Sequence, residues 1–234
     1  MHNNHQPSPL APEPRPTRSP LTTGARWLLL LFTLGAFARL CFRLDANNMW
    51  WDESLSLQRA EADWGTLLRG TLTMYDGFNA QPTTDQHPFF FFLLQGILIR
   101  LAGISEFVLR YPSVMAATLL VPVVWGLTRY FERRQVLPPQ SALWAAGFAA
   151  IHPFFLWYGQ EARPYALWAL LSLWAIYLLL RSTDGTEGKF NRGWLAGYGV
   201  VTLLALATHY YAIFWLPLHA LYLFTYLFRR RRWL

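Results

Sequence analysis

Apolar side chains in this chain come in long runs separated by short polar stretches. The runs occupy residues 27–42, 88–102, 107–127, 141–158, 164–180 and 194–228. A helix rises about 1.5 Å per residue, so a bilayer crossing needs about 20 residues. The last run would extend about 52 Å as one helix, too long for a single crossing. The polar group Thr208-His209-Tyr210-Tyr211 predicts a break there, giving about seven hydrophobic helical segments. Several runs are only 15 to 18 residues long, which implies tilting, local thinning or partial insertion. Ahead of the first run, residues 1–24 hold clustered prolines and few apolar side chains; they cannot bury a core and read as a disordered tail. His2 and His5 within it read as solvated residues. No small-residue cleavage site follows the first run, so it reads as an uncleaved signal anchor. Residues 25–234 form the transmembrane module. The polar stretch after the first run contains Ser54–Arg59 and Trp64–Leu68, which look like short amphipathic helices lying on the bilayer. The predicted fold is therefore an all-α polytopic membrane protein with a long extracytoplasmic first loop.

Composition agrees with this pattern. Hydrophobic residues make up 54% of the 234 residues and charged residues only 14%, against roughly 25% charged in soluble domains. Aromatic residues reach 17%, a bias expected where rings anchor helices at bilayer interfaces. A soluble enzyme, a disordered chain and a disulfide scaffold are excluded. The single cysteine, Cys41, can form neither an intrachain bridge nor a Cys metal cluster. The net charge of +7 reflects where the arginines sit along the chain rather than affinity for nucleic acid. Arg15, Arg18 and Arg26 place the N-terminus in the cytoplasm by the positive-inside rule. Residues 45–86 then lie outside, with seven acids against two bases. Strict alternation from there would put Arg129, Arg133, Arg134, Arg181, Lys189, Arg192 and the terminal Arg229–Arg232 outside as well. If 88–127 makes one net crossing, with one of its two runs re-entrant or interfacial, all of these bases become cytoplasmic, as does the C-terminus. The second arrangement is preferred, and the expected localisation is the plasma (inner) membrane, as a multi-pass protein.

Polar patches then collect on the outer face. Met49-Trp50-Trp51-Asp52-Glu53-Ser54 sets two adjacent carboxylates between tryptophans and the membrane surface. Asp52 could serve as an N-cap or first-turn acid, or as a general base at the mouth of a lipid-adjacent cavity. Asp85-Gln86-His87-Pro88 either marks a helix entry through its proline or supplies a proton carrier or metal ligand through His87. Gln160-Glu161-Ala162-Arg163-Pro164-Tyr165 places charged groups between two apolar runs, where they are expensive unless paired or functional. Glu161 and Arg163 could offset each other as an ion pair, or the planar guanidinium of Arg163 could grip a phosphate. His209 and Tyr210 offer hydrogen-bonding groups at the same level, although aromatic anchoring at the interface also explains them. No Gly-rich phosphate loop, Ser-His-Asp arrangement or Cys-based site is present, so nothing points to ATP or a nucleotide sugar.

The order WWDES, long polar loop, HPFFFFLLQGILIRLAGISEFVLRYPSV, HPFFLWYGQEARPYALWALL and ATHYYAIF resembles the multispanning C-type glycosyltransferases. The nearest pattern is the group of protein O-mannosyltransferases, aminoarabinose transferases and lipopolysaccharide galacturonosyltransferases. The resemblance covers about residues 27 to 228. It implies a polyprenyl-phosphate sugar as donor, a lipid, glycan or protein as acceptor, and transfer at the outer membrane face. It implies Asp52 as the base, with Glu53 its companion. The family's His-Pro-Pro appears here as His87-Pro88-Phe89, without its second proline, whereas Gln160 to Tyr165 match in full. Asp52 would take the proton of the acceptor hydroxyl, whose oxygen attacks the anomeric carbon with inversion. Arg163, with His87, His209 or a divalent cation as further candidates, would hold the departing phosphate. Gln160, Glu161, Tyr165 and Tyr210 would line the cavity. Members are usually longer, with further spans, so the resemblance also implies that this chain corresponds to the N-terminal part of a longer fold. Two rival readings are a non-catalytic subunit that binds the lipid carrier and a small-solute transporter. Transporters place ionisable groups near mid-bilayer, whereas the groups here cluster at segment ends.

Overall fold

The computed structural model describes residues 23–75, 79–185 and 190–231. The tail residues 1–22, with His2 and His5, as well as Asp76, Lys189 and Arg232, lie outside the described residues, as do the side chains of Arg229, Arg230 and Arg231. The long apolar runs fold as helices: α1 (Thr23–Cys41), α4 (Phe90–Ala102), α5 (Glu106–Arg133), α6 (Ser141–Ile151), α7 (Pro153–Gly159), α8 (Tyr165–Ser182), α9 (Arg192–Thr208) and α10 (Trp215–Arg231). Among the described residues, four stretches are long and apolar enough to cross a membrane: Thr23–Cys41, Glu106–Arg133, Tyr165–Ser182 and Tyr210–Phe228. Between α1 and α4 lie α2 (Trp51–Glu61) and α3 (Trp64–Arg69), followed by an antiparallel hairpin of β1 (Thr71–Tyr75) and β2 (Ala80–Thr84). Among the described residues the fold is all-α apart from this hairpin, which the sequence reading missed.

Side-chain contacts fix which ends of the helices lie together. The end of α1 meets the loop after α7, where Gln160 Nε2 donates to the Leu40 and Phe42 carbonyls at 3.0 and 3.2 Å. The start of α5 meets the same region, with Ser113 Oγ donating to the Arg163 carbonyl at 3.1 Å. Its far end meets the start of α6, where Glu132 Oε1 accepts the Ala142 N–H at 2.7 Å. The end of α8 meets α10, with Tyr226 Oη donating to the Thr183 carbonyl at 3.2 Å. Helices α1, α5, α6–α7, α8, α9 and α10 therefore run alternately between two ends of one bundle.

Helix α4 stays at one end. Arg100 Nη1 and Nη2 donate to the Ala60 and Ala62 carbonyls at 2.8 and 2.7 Å. Gln95 Nε2 donates to the Leu109 carbonyl at 2.9 Å, and the Arg59 guanidinium stacks 4.2 Å above the Phe92 ring. Three successive turns of α4 thus touch the end of α2 or the start of α5. Its 13 residues rise about 20 Å, short of the roughly 30 Å hydrocarbon core.

Other boundaries depart from the sequence reading for identifiable reasons. Helix α1 begins at Thr23, inside the stretch assigned to the tail. The run 141–158 is broken at His152, whose φ of −62° and ψ of 126° are extended. Pro153 disfavours helical backbone at the residue before it and then opens α7, whose first free N–H, that of Phe154, donates to His152 Nδ1 at 3.2 Å. Helix α5 continues past 127 to Arg133. The final run, by contrast, breaks where the polar group predicts, at His209, followed by a 3₁₀ turn over Tyr210–Phe214.

The bundle core joins α1, α4, α5, α8 and α9 through Leu40, Phe91, Phe92, Val114, Leu170 and Ala205. Gly159 sets how closely α7 approaches this core. A Cβ there would stand 2.7 Å from the Ala117 Cβ and 2.6 Å from Leu40 Cδ2. That close fit seats the loop that follows, which carries Gln160 to Pro164.

Candidate active site

Asp52 sits in the first turn of α2, where the helix dipole favours a carboxylate. Its side chain is about a third exposed, at 32%. Arg163 lies 111 residues further on, in the loop between α7 and α8, and is 6% exposed. Its Nη2 stands 3.8 Å from Asp52 Oδ2, and its Nη1 donates to the Asp52 carbonyl at 3.2 Å. The pair is a loose contact rather than a bidentate bridge. Arg163 Nε is buried and has no hydrogen-bond partner, so the guanidinium keeps an unfilled donor in a dry setting.

Glu53, the adjacent residue, is placed differently. It is 1% exposed and receives Arg110 Nε and Nη2 at 2.9 and 2.7 Å. The Ala162 N–H donates to its Oε1 at 2.8 Å, and the Trp50 N–H to its Oε2 at 3.4 Å. Its acceptor sites are occupied by protein donors, so it ties α2 to α5 and to the loop holding Arg163. Arg110 also donates to the Leu44 and Asn47 carbonyls at 2.6 and 3.0 Å.

A second ion pair supports His87. Arg59, 1% exposed, donates from Nη1 to Asp85 Oδ2 and to the His87 carbonyl, both at 2.8 Å. The Gly70 Cα has a positive φ of 72°, and a Cβ there would stand 3.0 Å from Arg59 Nη2, so this turn needs glycine. Asp85 Oδ1 meets His87 Nδ1 at 3.1 Å. Burial opposes ionisation of Asp85, but hydrogen bonds from His87 and Arg59 and their positive charge outweigh it, holding its carboxyl below the usual range. With Nδ1 engaged by Asp85, Nε2 is the His87 ring nitrogen left for a ligand.

His209 joins this group from the turn after α9. Its ring centroid is 5.2 Å from that of His87, 5.8 Å from Tyr165 and 5.0 Å from Trp168. Its Nδ1 accepts the Tyr211 N–H at 3.2 Å, so the neutral ring carries its proton on Nε2. Burial, followed by the charges of His87 and Arg163, pushes its pKa down to about 4. Trp168 Nε1, like Arg163 Nε, is buried without a partner. Tyr165 lies between the two halves, its ring 5.9 Å from the Arg163 guanidinium and 6.2 Å from His87.

The remaining sequence candidates are placed less centrally. The Gln160 amide is spent on the end of α1. Arg163 pairs with Asp52, leaving Glu161 hydrogen-bonded by Trp157. Burial, and then the nearby Glu53 and Asp52 charges, raise the Glu161 pKa against that bond. Tyr210 is 60% exposed, and its neighbour Tyr211 is the ring that packs on His209 and Trp168. Among the described residues, no group of three His, Cys, Asp or Glu side chains is set to hold a metal ion. Sequence reasoning did not single out Arg59, Arg110 or Trp168. For Arg110 the signal lay in a base within an apolar run, which needs a buried acid as its partner; Arg59, in the polar first loop, carries no such mark.

Residues 86–234 match the family model of the dolichyl-phosphate-mannose-protein mannosyltransferases, and the chain belongs to that family. No curated protein and no solved structure matches it. The chain is therefore a multi-pass membrane protein of a glycosyltransferase family that draws on polyprenyl-phosphate-linked sugars. The matched region includes His87, Arg163 and His209, whereas Asp52 and Glu53 precede it.

Proposed function

We propose that this chain transfers a sugar from a polyprenyl-phosphate carrier to a hydroxyl of a lipid, glycan or protein acceptor, with inversion, at the outer face of the inner membrane. The observation that carries the reading is the approach of Arg163 to Asp52, 3.8 Å apart across 111 residues of chain, with Arg163 Nε unpaired. A buried guanidinium with an unfilled donor suits an incoming phosphate, whose negative charge grows as the glycosidic bond breaks. His209, neutral with its proton on Nε2, and His87, 5.2 Å from it between ring centroids, are the further candidates for holding this anion. Asp52 accepts the acceptor's proton, the acceptor oxygen forms its bond to the anomeric carbon, and the carbon–oxygen bond to phosphate breaks. The polyprenyl phosphate leaves with its charge held by Arg163.

In this reading Glu53 is a positioning residue that keeps α2 and the Arg163 loop in register. The positive-inside rule supports placing the Asp52 end outside, because Arg129, Arg133, Arg134 and Arg181 lie at the opposite end of the bundle.

The test is transfer of labelled sugar by membranes containing the full chain. Asp52→Asn is expected to lower the rate by about 100-fold or more, the usual scale for loss of a general base. Asp45→Asn, at an exposed position, is expected to leave it unchanged. Transfer by Asp52→Asn at the unsubstituted rate would remove Asp52 as the base.

A further inference from the structure

The end of the bundle away from Asp52 holds a cavity of about 740 Å³ between α5, α8 and the start of α9. That is within the roughly 300–1,000 Å³ of small-ligand sites. Among the described residues, its charged lining is Arg129, Arg133, Arg134 and Arg181 against the carboxylate of Asp184. Asp184 is shared: it bridges to Arg134 and stands 3.7 Å from Arg181 Nε. Arg129 is paired through Nη1 with Glu132 at 2.5 Å. The Nε atoms of both Arg129 and Arg181 are nevertheless buried without a hydrogen-bond partner. Aromatic rings hold two of these guanidinium groups in place, Trp194 at 4.8 Å from that of Arg181 and Tyr130 at 4.5 Å from that of Arg134.

Positive charge alone at this end is expected from topology. Topology requires only bases in the flanking loops, where water solvates them. It does not account for guanidinium groups withdrawn around a cavity, with Arg129 and Arg181 side chains only 22% and 25% exposed. Counting along α5 from Arg110 to Arg129, the cavity is about 28 Å from the Glu53–Arg110 bridge, roughly one hydrocarbon thickness. It is thus separate from the sugar-transfer site.

We propose that this cavity binds a phosphate-bearing anion of net negative charge at the membrane surface opposite the Asp52 site. The planar forks of Arg129 and Arg181 suit tetrahedral oxyanions, and basic pockets between spanning helices suit anionic lipid headgroups. The same chemistry would accept a headgroup phosphate or a free one.

The full chain in detergent is titrated with phosphatidylglycerol, with phosphatidylcholine of the same acyl chains, and with inorganic phosphate, and bound adducts are counted by native mass spectrometry. Phosphatidylglycerol is expected to bind at about tenfold lower concentration than phosphatidylcholine, on the scale of a few basic contacts. The double variant Arg129→Gln, Arg181→Gln is expected to erase that preference. Arg133→Gln, at an exposed position, is expected to weaken it severalfold, which keeps the test valid if the double variant misfolds. Displacement of phosphatidylglycerol by millimolar inorganic phosphate would identify a free phosphate as the ligand. Resistance to displacement would identify the lipid headgroup. Equal binding of both lipids with no phosphate adduct, or a preference untouched by either variant, would overturn the proposal.

Discussion

A single imidazole, His209, shows how burial decides chemistry at this site. Its ring is withdrawn from water between Trp168, Tyr165 and His87 and feels the positive charge of Arg163. Its pKa falls to about 4, so at neutral pH it is an uncharged hydrogen-bond donor rather than a cation. The unfolded chain takes up this proton near the ordinary value of 6.5, whereas the folded chain resists until about 4. Between those values the unfolded state binds more protons, so stability rises with pH. The contribution is complete above pH 6.5 and is lost as the pH falls toward 4. Thermal unfolding of the full chain in detergent is expected to show a midpoint that drops over this window. His209→Gln, which cannot titrate, is expected to flatten the drop, and identical slopes in both proteins would show that His209 does not cause it. The residue types at the site were legible in the sequence, because carboxylates, imidazoles and a guanidinium at the ends of apolar runs stand out. Their division of labour was not. Asp52 and Glu53 are neighbours in sequence, and only the position of Arg110 across the bundle separates the part-exposed acid from the buried one.

At the scale of elements, the Glu53–Arg110 bridge fastens α2 to α5 and, through the Ala162 N–H, to the loop before α8. Both partners are nearly free of water, with side chains 1% and 5% exposed. Removing one partner from a buried pair strands the other charge and costs about 3–5 kcal/mol, whereas replacing both by apolar residues of similar size is often close to neutral. Arg110→Ala is therefore expected to destabilise the full chain by that amount. The double variant Glu53→Leu, Arg110→Met is expected to cost less than Arg110→Ala alone, as read by denaturant unfolding in detergent. A double variant at least as unstable as the single would assign the stabilisation to packing rather than to charge pairing. The helices themselves were largely legible, since apolar run length is a strong signal. The hairpin was not: Thr71-Leu72-Thr73-Met74-Tyr75 has the alternation of a strand, but Pro82 in its partner argues against one. The pair persists because Thr73 is held to Gln58 of α2, its N–H donating to Gln58 Oε1 at 3.2 Å and its carbonyl accepting from Gln58 Nε2 at 3.0 Å. That long-range contact leaves no local mark in the sequence.

For the whole molecule, the number of times residues 88–127 cross the bilayer decides which side each end of the bundle faces. Charge counting favoured one net crossing, and the geometry bears on it through α4, which stays against α2 and the start of α5 along its length. With α4 held at one end, α1 and α5 run in opposite directions: Leu40 and Ala117 meet around Gly159, and further along both helices Ala36 and Val121 share a cluster against which Leu29 and Trp125 pack. The start of α1 and the end of α10 then lie at the end that carries Arg129 and Arg181. In the proposed topology, the positive-inside rule puts that end in the cytoplasm and the Asp52 end outside. Two exposed loop positions separate this topology from strict alternation of all seven segments. In a background with Cys41→Ala, which removes the lone native thiol, Asn48→Cys lies beside the Asp52 site and Val136→Cys lies in the loop after α5. A membrane-impermeant maleimide added to intact cells is expected to label position 48 and to spare position 136 until the membrane is opened. Strict alternation would carry the chain across at α4 and again at α5, so both positions would react from outside. Labelling of both in intact cells would therefore require α4 to cross and would move the four-arginine cavity to the same side as Asp52. Protection of position 136 alone leaves the two ends of the bundle on opposite sides, as the proposed transfer at the outer surface requires.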